Sequence, residues 1–246
     1  MDSAGREAMK TLYICGAGNS ETVRLAQRIN RVRRRWERIV LLDDDPRKHG
    51  QTILGVAIEG PLSLLEGKDP QATEIVNSVT RTTARRWSVR RKMEAYGLPF
   101  ATLVDPGVDL DGAELPRDLI VYQNATIGPQ VSIAEASAVF MGAVVGHESR
   151  LGRCCVVAAN AVLNARVQLG DGVYVGSNAS ILPEVRVGAW ATIAAGSMVM
   201  QNVPAGATLM GVPGRIVYRL SQQELAKRIA DATAPELRHA AESRVA

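Results

Sequence analysis

The sequence contains few of the residues on which several classes of protein depend. Of its 246 residues only 4% are aromatic, three are cysteine and three are histidine. The scarcity of aromatics and the lack of a nucleic-acid-binding motif argue against nucleic acid as a partner, although arginines concentrate at 24–38 and 81–92. The number of cysteines is odd, and all three, Cys15, Cys154 and Cys155, lie in apolar runs. They therefore predict free thiols in a reducing compartment, with no disulfide framework and no zinc site.

The sequence also has no long apolar segment. Without a run of 18 apolar residues or a signal peptide, we expect no membrane insertion and a cytoplasmic protein. The hydrophobic content of 46%, the charged content of 22% and the net charge of +4 are ordinary for a soluble protein. The basic excess indicates either attraction to phosphate-bearing small molecules or simply solvated helix faces.

An aliphatic residue recurs at every sixth position from 121 to 199. The fourteen are Val121, Ile127, Ile133, Val139, Val145, Leu151, Val157, Leu163, Leu169, Val175, Ile181, Val187, Ile193 and Val199. Four positions after each of them, a small or β-branched residue follows. A six-residue unit cannot bury a face alone and must stack on its neighbours, which predicts a parallel β-helix. Three units would form one triangular coil, with two outward-facing residues at each corner.

The first hundred residues alternate between apolar runs and helical patterns. Strands are predicted at 11–15, 39–42, 75–79 and 100–104, with an arginine-rich helix between the last two. A glycine-containing turn, Gly16–Ser20, follows the first strand, and Asp43 and Asp44 follow the second. This strand–turn–helix–strand–acid order is typical of a Rossmann-like unit.

These patterns predict two domains and a tail. A small Rossmann-like parallel sheet would occupy 10–105, and a β-helix would occupy 106–217. A helical C-terminal tail would occupy 218–246, and the capping box Ser221-Gln222-Gln223-Glu224 would open its helix.

His147 is the histidine best placed for catalysis. It falls at an outward-facing corner between Gly146 and Glu148, whereas His49 and His239 fall in a loop and in the tail, where we expect solvated side chains. Acyl transfer from a thioester needs a base that ionises near neutrality, which imidazole supplies. An adjacent carboxylate could hold the required tautomer. From spacing alone, a solvated corner histidine is the alternative.

Three motifs resemble those of one known family, and together they span most of the chain. Val144–Glu148, Asp43-Asp44 and Gly211-Val212-Pro213-Gly214-Arg215 resemble segments of the hexapeptide-repeat bacterial sugar acetyltransferases. The similar members are nucleotide-amino-sugar N-acetyltransferases and sialic-acid O-acetyltransferases. Their N-terminal Rossmann-like domain precedes a C-terminal left-handed parallel β-helix. The resemblance implies a homotrimer that uses acetyl-CoA, with His147 and Glu148 as the catalytic residues.

The resemblance also implies the remaining contacts. The oxyanion would be bound by the backbone N–H of Ala165, and acetyl-CoA would contact residues from a neighbouring subunit as well. The implied acetyl-CoA contacts are Val156, Ala165, Ser177, Ala195 and Arg215. For Arg215, a simple surface arginine is the alternative. The implied nucleotide-sugar contacts are Gly16, Gly18, Asn19, Ser20, Asp43 and Asp44. No metal and no NAD are expected.

Three positions depart from the family pattern. Many members carry a second histidine nine residues after the first, where this chain has Val156. Glu21 follows the first turn and would repel a phosphate at the N-terminus of a helix. The segment around Asn77 lacks the glycine that the family has there.

The leading hypothesis is acetyl-CoA-dependent acetylation of the amino group of a nucleotide-linked amino sugar, for surface-glycan synthesis. One alternative is an O-acetyltransferase acting on a sugar or on a small non-sugar acceptor. Another is a non-catalytic trimeric β-helix scaffold that binds a metabolite.

Overall fold

The computed structural model describes residues 9–233. It divides into two compact units, one comprising 9–79 with 88–101 and the other 80–87 with 102–233. His239 and the end of the predicted tail lie outside the described residues.

The first unit is built on a five-stranded sheet. Its strands are β1 (Lys10–Cys15), β2 (Trp36–Leu42), β3 (Thr52–Ile53), β4 (Val56–Gly60) and β5 (Thr73–Asn77), in the order β3-β4-β2-β1-β5. All neighbours are parallel except the hairpin pair β3 and β4. Helix α1 (Ser20–Arg33) links β1 to β2, and α2 (Thr83–Glu94) follows β5. Short 3-10 helices occupy Pro46–Lys48 and Leu62–Leu65. The predicted Rossmann-like order is confirmed, and the hairpin is an addition to it.

Only the last two residues of the predicted strand at 100–104 form a strand, and they do not join this sheet. Phe100 makes only an isolated bridge to Ile75, and the backbone then leaves the sheet. The next strand, β6 (Leu103–Val104), instead pairs with β7 (Ile120–Val121) of the second unit, with Leu103 fully buried. An apolar run of this length therefore contributes to two sheets, a division that its composition does not reveal.

The second unit is a left-handed parallel β-helix with three walls, as predicted. Its two-residue strands alternate between the walls in chain order. The first wall contains β7, β10 (Ala138–Val139), β13 (Val156–Val157), β16 (Tyr174–Val175) and β19 (Thr192–Ile193). The second contains β8 (Thr126–Ile127), β11 (Val144–Val145), β14 (Val162–Leu163), β17 (Ser180–Ile181) and β20 (Met198–Val199). The third contains β9 (Ser132–Ile133), β12 (Arg150–Leu151), β15 (Gln168–Leu169) and β18 (Arg186–Val187).

Two further strands extend the first wall beyond β19. They are β21 (Ala207–Met210) and β22 (Arg215–Arg219), which pair with each other in antiparallel fashion. The sequence pattern missed this pairing because every residue of β22 is exposed and shows no alternation. As a result, the β-helix sheet continues to Arg219, two residues into the predicted tail.

The repeat fills the interior of the β-helix. All fourteen aliphatic residues are buried, the most accessible being Ile127 at 7% exposure. The small residues four positions later are buried as well. Side chains of this size are needed there because the three walls converge at each corner.

Every sixth residue from 118 to 196 has a positive φ, and only three of these fourteen residues are glycine. This left-handed conformation usually costs about 1 kcal/mol or more for a residue with a Cβ. Hydrogen bonds between successive coils stabilise this conformation. For example, the N–H of Arg166 donates to the carbonyl of His147. The second of the two corner residues is therefore the one that turns the chain.

The glycines that follow the aliphatic residues have a different role. A Cβ on Gly146 would lie 2.7 Å from the carbonyl carbon of Asn164 and 2.8 Å from the nitrogen of Ala165. Equivalent collisions, at 2.4 to 2.7 Å, would occur at Gly128, Gly152, Gly170, Gly176 and Gly188. Glycine is thus required where consecutive coils approach each other closely.

One of the three corner columns faces outward but is shielded from solvent. Between the third and first walls, Ala136, Cys154 and Trp190 are at most 4% exposed. Trp87 and Leu225 pack against this column, and Thr83 donates a hydrogen bond of 2.7 Å to the carbonyl of Gly172. Leu225 belongs to α3 (Gln222–Thr233), the helix that the predicted capping box opens. Reciprocal hydrogen bonds between Ser221 and Glu224 confirm that box.

Candidate active site

His147 lies at the corner between the second and third walls, where β11 ends and β12 is about to begin. Its Nδ1 is 2.9 Å from Oε1 of Glu148, and both side chains are about half exposed, at 48% and 45%. Because an ionised carboxylate only accepts hydrogen bonds, Nδ1 carries the proton and Nε2 is left as the basic atom. The corner therefore presents an oriented base to solvent.

Ala165 lies one coil further along the same corner. Its carbonyl accepts a hydrogen bond from the N–H of Glu184, but its own N–H donates to no other residue among 9–233. Pro129 and Pro183 occupy the equivalent positions one coil before His147 and one coil after Ala165. At this corner, the backbone N–H of Ala165 is therefore available to donate a hydrogen bond, on the coil next to that of His147.

Ser149 fixes the backbone on both sides of Ala165. Its hydroxyl donates to the carbonyl of Asn164 at 3.1 Å and accepts from the N–H of Val167 at 3.1 Å. The side chain is buried, and in the sequence it looked like one more small interior residue. The signal that could have identified it is a hydroxyl at a position that is mostly alanine or valine in other coils.

Arg166 was also missed by the sequence reasoning. Its guanidinium bonds Oε1 of Glu184 through Nε at 3.1 Å and Nη2 at 2.9 Å, and its Nη1 lies 3.8 Å from Oε1 of Glu148. Glu148, Arg166 and Glu184 are spaced 18 residues apart, so their alternating charges repeat once per coil. We call Gln130, Glu148, Arg166 and Glu184, together with His147 and Ala165, the catalytic corner.

Apart from Ala165, the residues expected to bind acetyl-CoA are distributed over other parts of the β-helix. Ser177 and Ala195 lie at the corner between the first and second walls, which we call the opposite corner. The second wall separates them from His147. Val156 occupies an outward position on the first wall and is 1% exposed. Within one chain, the structure does not bring these residues to the catalytic corner.

Arg215 begins β22 and is exposed, with Nη1 3.3 Å from the carbonyl of Gly214. A Cβ on Gly214 would lie 2.4 Å from Cδ2 of Leu209 and 2.7 Å from the carbonyl of Met198. These close contacts leave no room for a larger residue at position 214 in this chain.

In the first unit, the turn after β1 and the acid after β2 are adjacent. The carboxylate of Asp43 accepts hydrogen bonds from the N–H of Ala17 at 2.8 Å and from Nζ of Lys48 at 2.7 Å. Partial burial opposes ionisation of Asp43, but these bonds and the N–H of Asp45 hold its pKa below the ordinary value. Nε2 of His49 is 2.8 Å from the carbonyl of Asp43, so His49 is a half-buried structural residue and the prediction of a solvated side chain is wrong.

Asp44 is paired as well. Its carboxylate accepts from Nζ of Lys92 at 2.6 Å and from the N–H of Leu62 at 2.9 Å, and the bond from Lys92 lowers its pKa. A ligand that bound either aspartate would have to share these groups with a lysine.

The glycine turn combines one constrained and two open positions. Gly16 has φ +100, and a Cβ there would lie 2.9 Å from Cγ2 of Val79. Gly18 faces open space. Asn19 caps α1 by accepting from the N–H of Glu21 at 3.1 Å, and Ser20 is exposed at the first position of that helix. The turn is therefore accessible, although the side chain of Asn19 already caps the helix.

Other chemistries find little support in the described part of the chain. The three thiols are free and buried, and burial raises the pKa of Cys15 and Cys155 far above the range in which a thiolate nucleophile forms. Between residues 9 and 233, no cluster of three His, Cys, Asp or Glu side chains is placed to hold a metal ion. Over the same range, no helix is long and apolar enough to cross a membrane.

Comparison with known proteins agrees with this architecture. Residues 166–201 match the family described as bacterial transferase hexapeptide (six repeats). No curated protein matches the sequence.

Among solved structures, the acetyltransferase domain of PglB from Neisseria gonorrhoeae is similar, with 23% identity and a TM-score of 0.78 over 85% of this chain and 100% of that domain. The same domain in complex with acetyl coenzyme A gives 22% identity and a TM-score of 0.77 over the same shares of the two chains. PerB from Caulobacter crescentus, in complex with CoA and GDP-perosamine, gives 22% identity and a TM-score of 0.63 over 86% of this chain and 99% of that one. The chain therefore shares the fold of these bacterial acetyltransferase structures, and its residues 166–201 match the hexapeptide-repeat family, as its motifs predicted.

Proposed function

We propose that this protein transfers the acetyl group of acetyl-CoA to the amino group of a nucleotide-linked amino sugar, with His147 as general base. One observation carries the proposal. An imidazole oriented by Glu148 lies at the same corner as the unengaged N–H of Ala165, one coil away. Acyl transfer to an amine needs this pair, a base for the nucleophile and a donor for the oxyanion.

The steps follow from these two groups. The acceptor nitrogen attacks the thioester carbonyl carbon and gives a proton to Nε2 of His147. The carbonyl oxygen becomes an oxyanion, which the N–H of Ala165 stabilises. The tetrahedral intermediate then collapses with cleavage of the C–S bond, and the imidazolium returns its proton to the departing CoA thiolate. Glu148 holds the tautomer throughout and stabilises the imidazolium.

The choice of co-substrate and acceptor rests on similarity. The PglB domain binds acetyl coenzyme A, and PerB binds CoA and GDP-perosamine, a nucleotide sugar. In this chain the accessible turn at Gly16, Gly18 and Ser20 would receive the nucleotide, with Asp43 and Asp44 beside it. The lysine partners of these aspartates indicate that base and ribose contacts there would be shared with existing hydrogen bonds.

We further propose that the active enzyme is a homotrimer with its sites between subunits. The catalytic corner and the opposite corner lie on the two edges of the second wall, so one chain cannot present both to a single acetyl-CoA. A neighbouring copy that packed against the second wall would place its Ser177 and Ala195 beside this His147. The outward residues of this wall include the half-buried Val144 and Val162 and the exposed Met198, which suit such an interface.

Thiol release from acetyl-CoA tests the proposed function. With a panel of UDP-, dTDP- and GDP-linked amino sugars, we expect CoA release that depends on one acceptor and equals the amide formed, as measured by mass spectrometry. Matched nucleotide sugars with a hydroxyl in place of the amine serve as controls and should give no release. Turnover with the hydroxyl controls would indicate O-acetylation instead, and no turnover with any acceptor would favour a non-catalytic scaffold.

A further inference from the structure

The third wall carries two arginines that the proposed reaction does not use. Arg150, Gln168 and Arg186 stand in register on β12, β15 and β18, and all three side chains are exposed. Neither arginine side chain makes a hydrogen bond or ion pair with another residue of the described range 9–233. Arg166, by contrast, is bonded to Glu184.

Two grooves on this wall meet at these residues. One, with a volume of about 800 Å³, is lined by Arg150 and Gln168 and by Glu148 and Arg166 of the catalytic corner. The other, about 480 Å³, is lined by Arg150, Gln168 and Arg186 and reaches Pro204. Arg150 and Gln168 line both, so the two grooves adjoin at these residues, and the first of them extends to Glu148.

The spacing of the arginines suits an extended anion. Neighbouring strands lie about 4.8 Å apart, so the backbones of Arg150 and Arg186 are separated by roughly 10 Å. Flexible arginine side chains on either side can converge on two phosphate groups that lie across Gln168. Each guanidinium can bind a phosphate through two parallel hydrogen bonds, and the Gln168 amide can donate between them.

The carboxylates near these grooves do not neutralise the positive charges of Arg150 and Arg186. Glu148 is bonded to His147, and Glu184 is bonded to Arg166. Glu114 lines the first groove but not the second. The first groove thus has two carboxylates beside its two arginines, whereas the described lining of the second contains Arg150 and Arg186 and no carboxylate. The second groove is therefore a basic surface with unused hydrogen-bond donors.

We propose that Arg150, Gln168 and Arg186 form a subsite for a diphosphate ester, open to the catalytic corner through the groove that contains Glu148. Its role in the reaction rests on the proposed function, in which both the nucleotide-linked acceptor and CoA carry this group. The shared chemistry is the diphosphate, and the two ligands can be tested separately.

Equilibrium binding by calorimetry tests the subsite without turnover. UDP, GDP and CoA would each be titrated into the whole protein and into Arg150→Gln, Arg186→Gln and the double variant. For at least one ligand we expect Kd to rise about 10-fold in each single variant and about 100-fold in the double variant, because each loses charge-assisted hydrogen bonds. Arg219→Gln, an exposed arginine on β22, is the matched control and should leave Kd unchanged.

The outcomes separate the two ligands and the two proposals. If the variants bind only UDP or GDP more weakly, the subsite belongs to the acceptor. If they bind only CoA more weakly, it belongs to the acyl donor. Either result supports the inference. Unchanged Kd values in the double variant, or no binding of any of the three to the native sequence, would overturn it. A protein that lost diphosphate binding in the variants but turned over no amino sugar would contradict the proposed function and leave the subsite standing.

Discussion

Replacing His147 with asparagine is expected to lower kcat by roughly 10²- to 10⁴-fold, the usual contribution of a positioned general base. Asparagine keeps a polar side chain at the corner but cannot accept the proton of the attacking amine at neutral pH. The KM for acetyl-CoA should change little, because the imidazole acts on the acceptor nitrogen in the transition state. Steady-state kinetics with the acceptor identified by thiol release would measure both constants.

Two controls accompany this variant. The thermal unfolding temperature should stay unchanged because the His147 side chain is 48% exposed and, within residues 9–233, its hydrogen-bond partner is the half-exposed Glu148. Glu148→Gln should reduce kcat by a smaller factor, since it leaves the base in place and removes only the group that orients it. A kcat for His147→Asn within a few-fold of the native value would show that another group removes the proton.

Replacing Ala165 with proline is expected to lower kcat by roughly 10²- to 10³-fold, the effect typical of losing one oxyanion donor. The substitution removes the N–H of residue 165, and that N–H makes no hydrogen bond within residues 9–233. The backbone should tolerate the change, because Pro129 and Pro183 already occupy this column on other coils. The loss of activity should therefore come without a loss of stability.

Ala165→Gly is the matched control for the proline variant. It removes the methyl group but retains the N–H, so its kcat should stay near the native value. Equal activity of the proline and glycine variants, with unchanged unfolding temperatures, would show that the oxyanion is bound elsewhere.

Much of the fold could be predicted because its determinants are periodic. The six-residue repeat specifies the β-helix, since each aliphatic residue from Val121 to Val199 has the same environment in every coil. The order of apolar runs, glycine turn and acid likewise indicated the parallel sheet of the first unit. Elements without periodicity were missed: β22 is exposed throughout, and the run at 100–104 divides between two sheets.

The candidate site was only partly visible in the sequence because its contacts span whole coils. His147 and Glu148 are adjacent in sequence, and their pairing could be predicted. Arg166 is 18 residues from both Glu148 and Glu184 in sequence, and its contacts with these two carboxylates exist because one coil has that length. The lysine partner of Asp44 is set by tertiary packing, because Lys92 comes from a separate helix. Ser149 looked like any small interior residue until its two backbone hydrogen bonds were seen.

In the proposed trimer, His147 of one subunit acts with the opposite corner of another. Mixed oligomers of two inactive variants test it most directly: His147→Asn, and Ala195→Glu, which places bulk and negative charge at the exposed opposite corner. In randomly mixed trimers, about one quarter of the sites would combine an intact His147 with an intact neighbouring corner. We therefore expect co-expression of the two variants to restore about a quarter of native activity. No recovery above the single variants, in oligomers shown by differential tags to contain both chains, would contradict it.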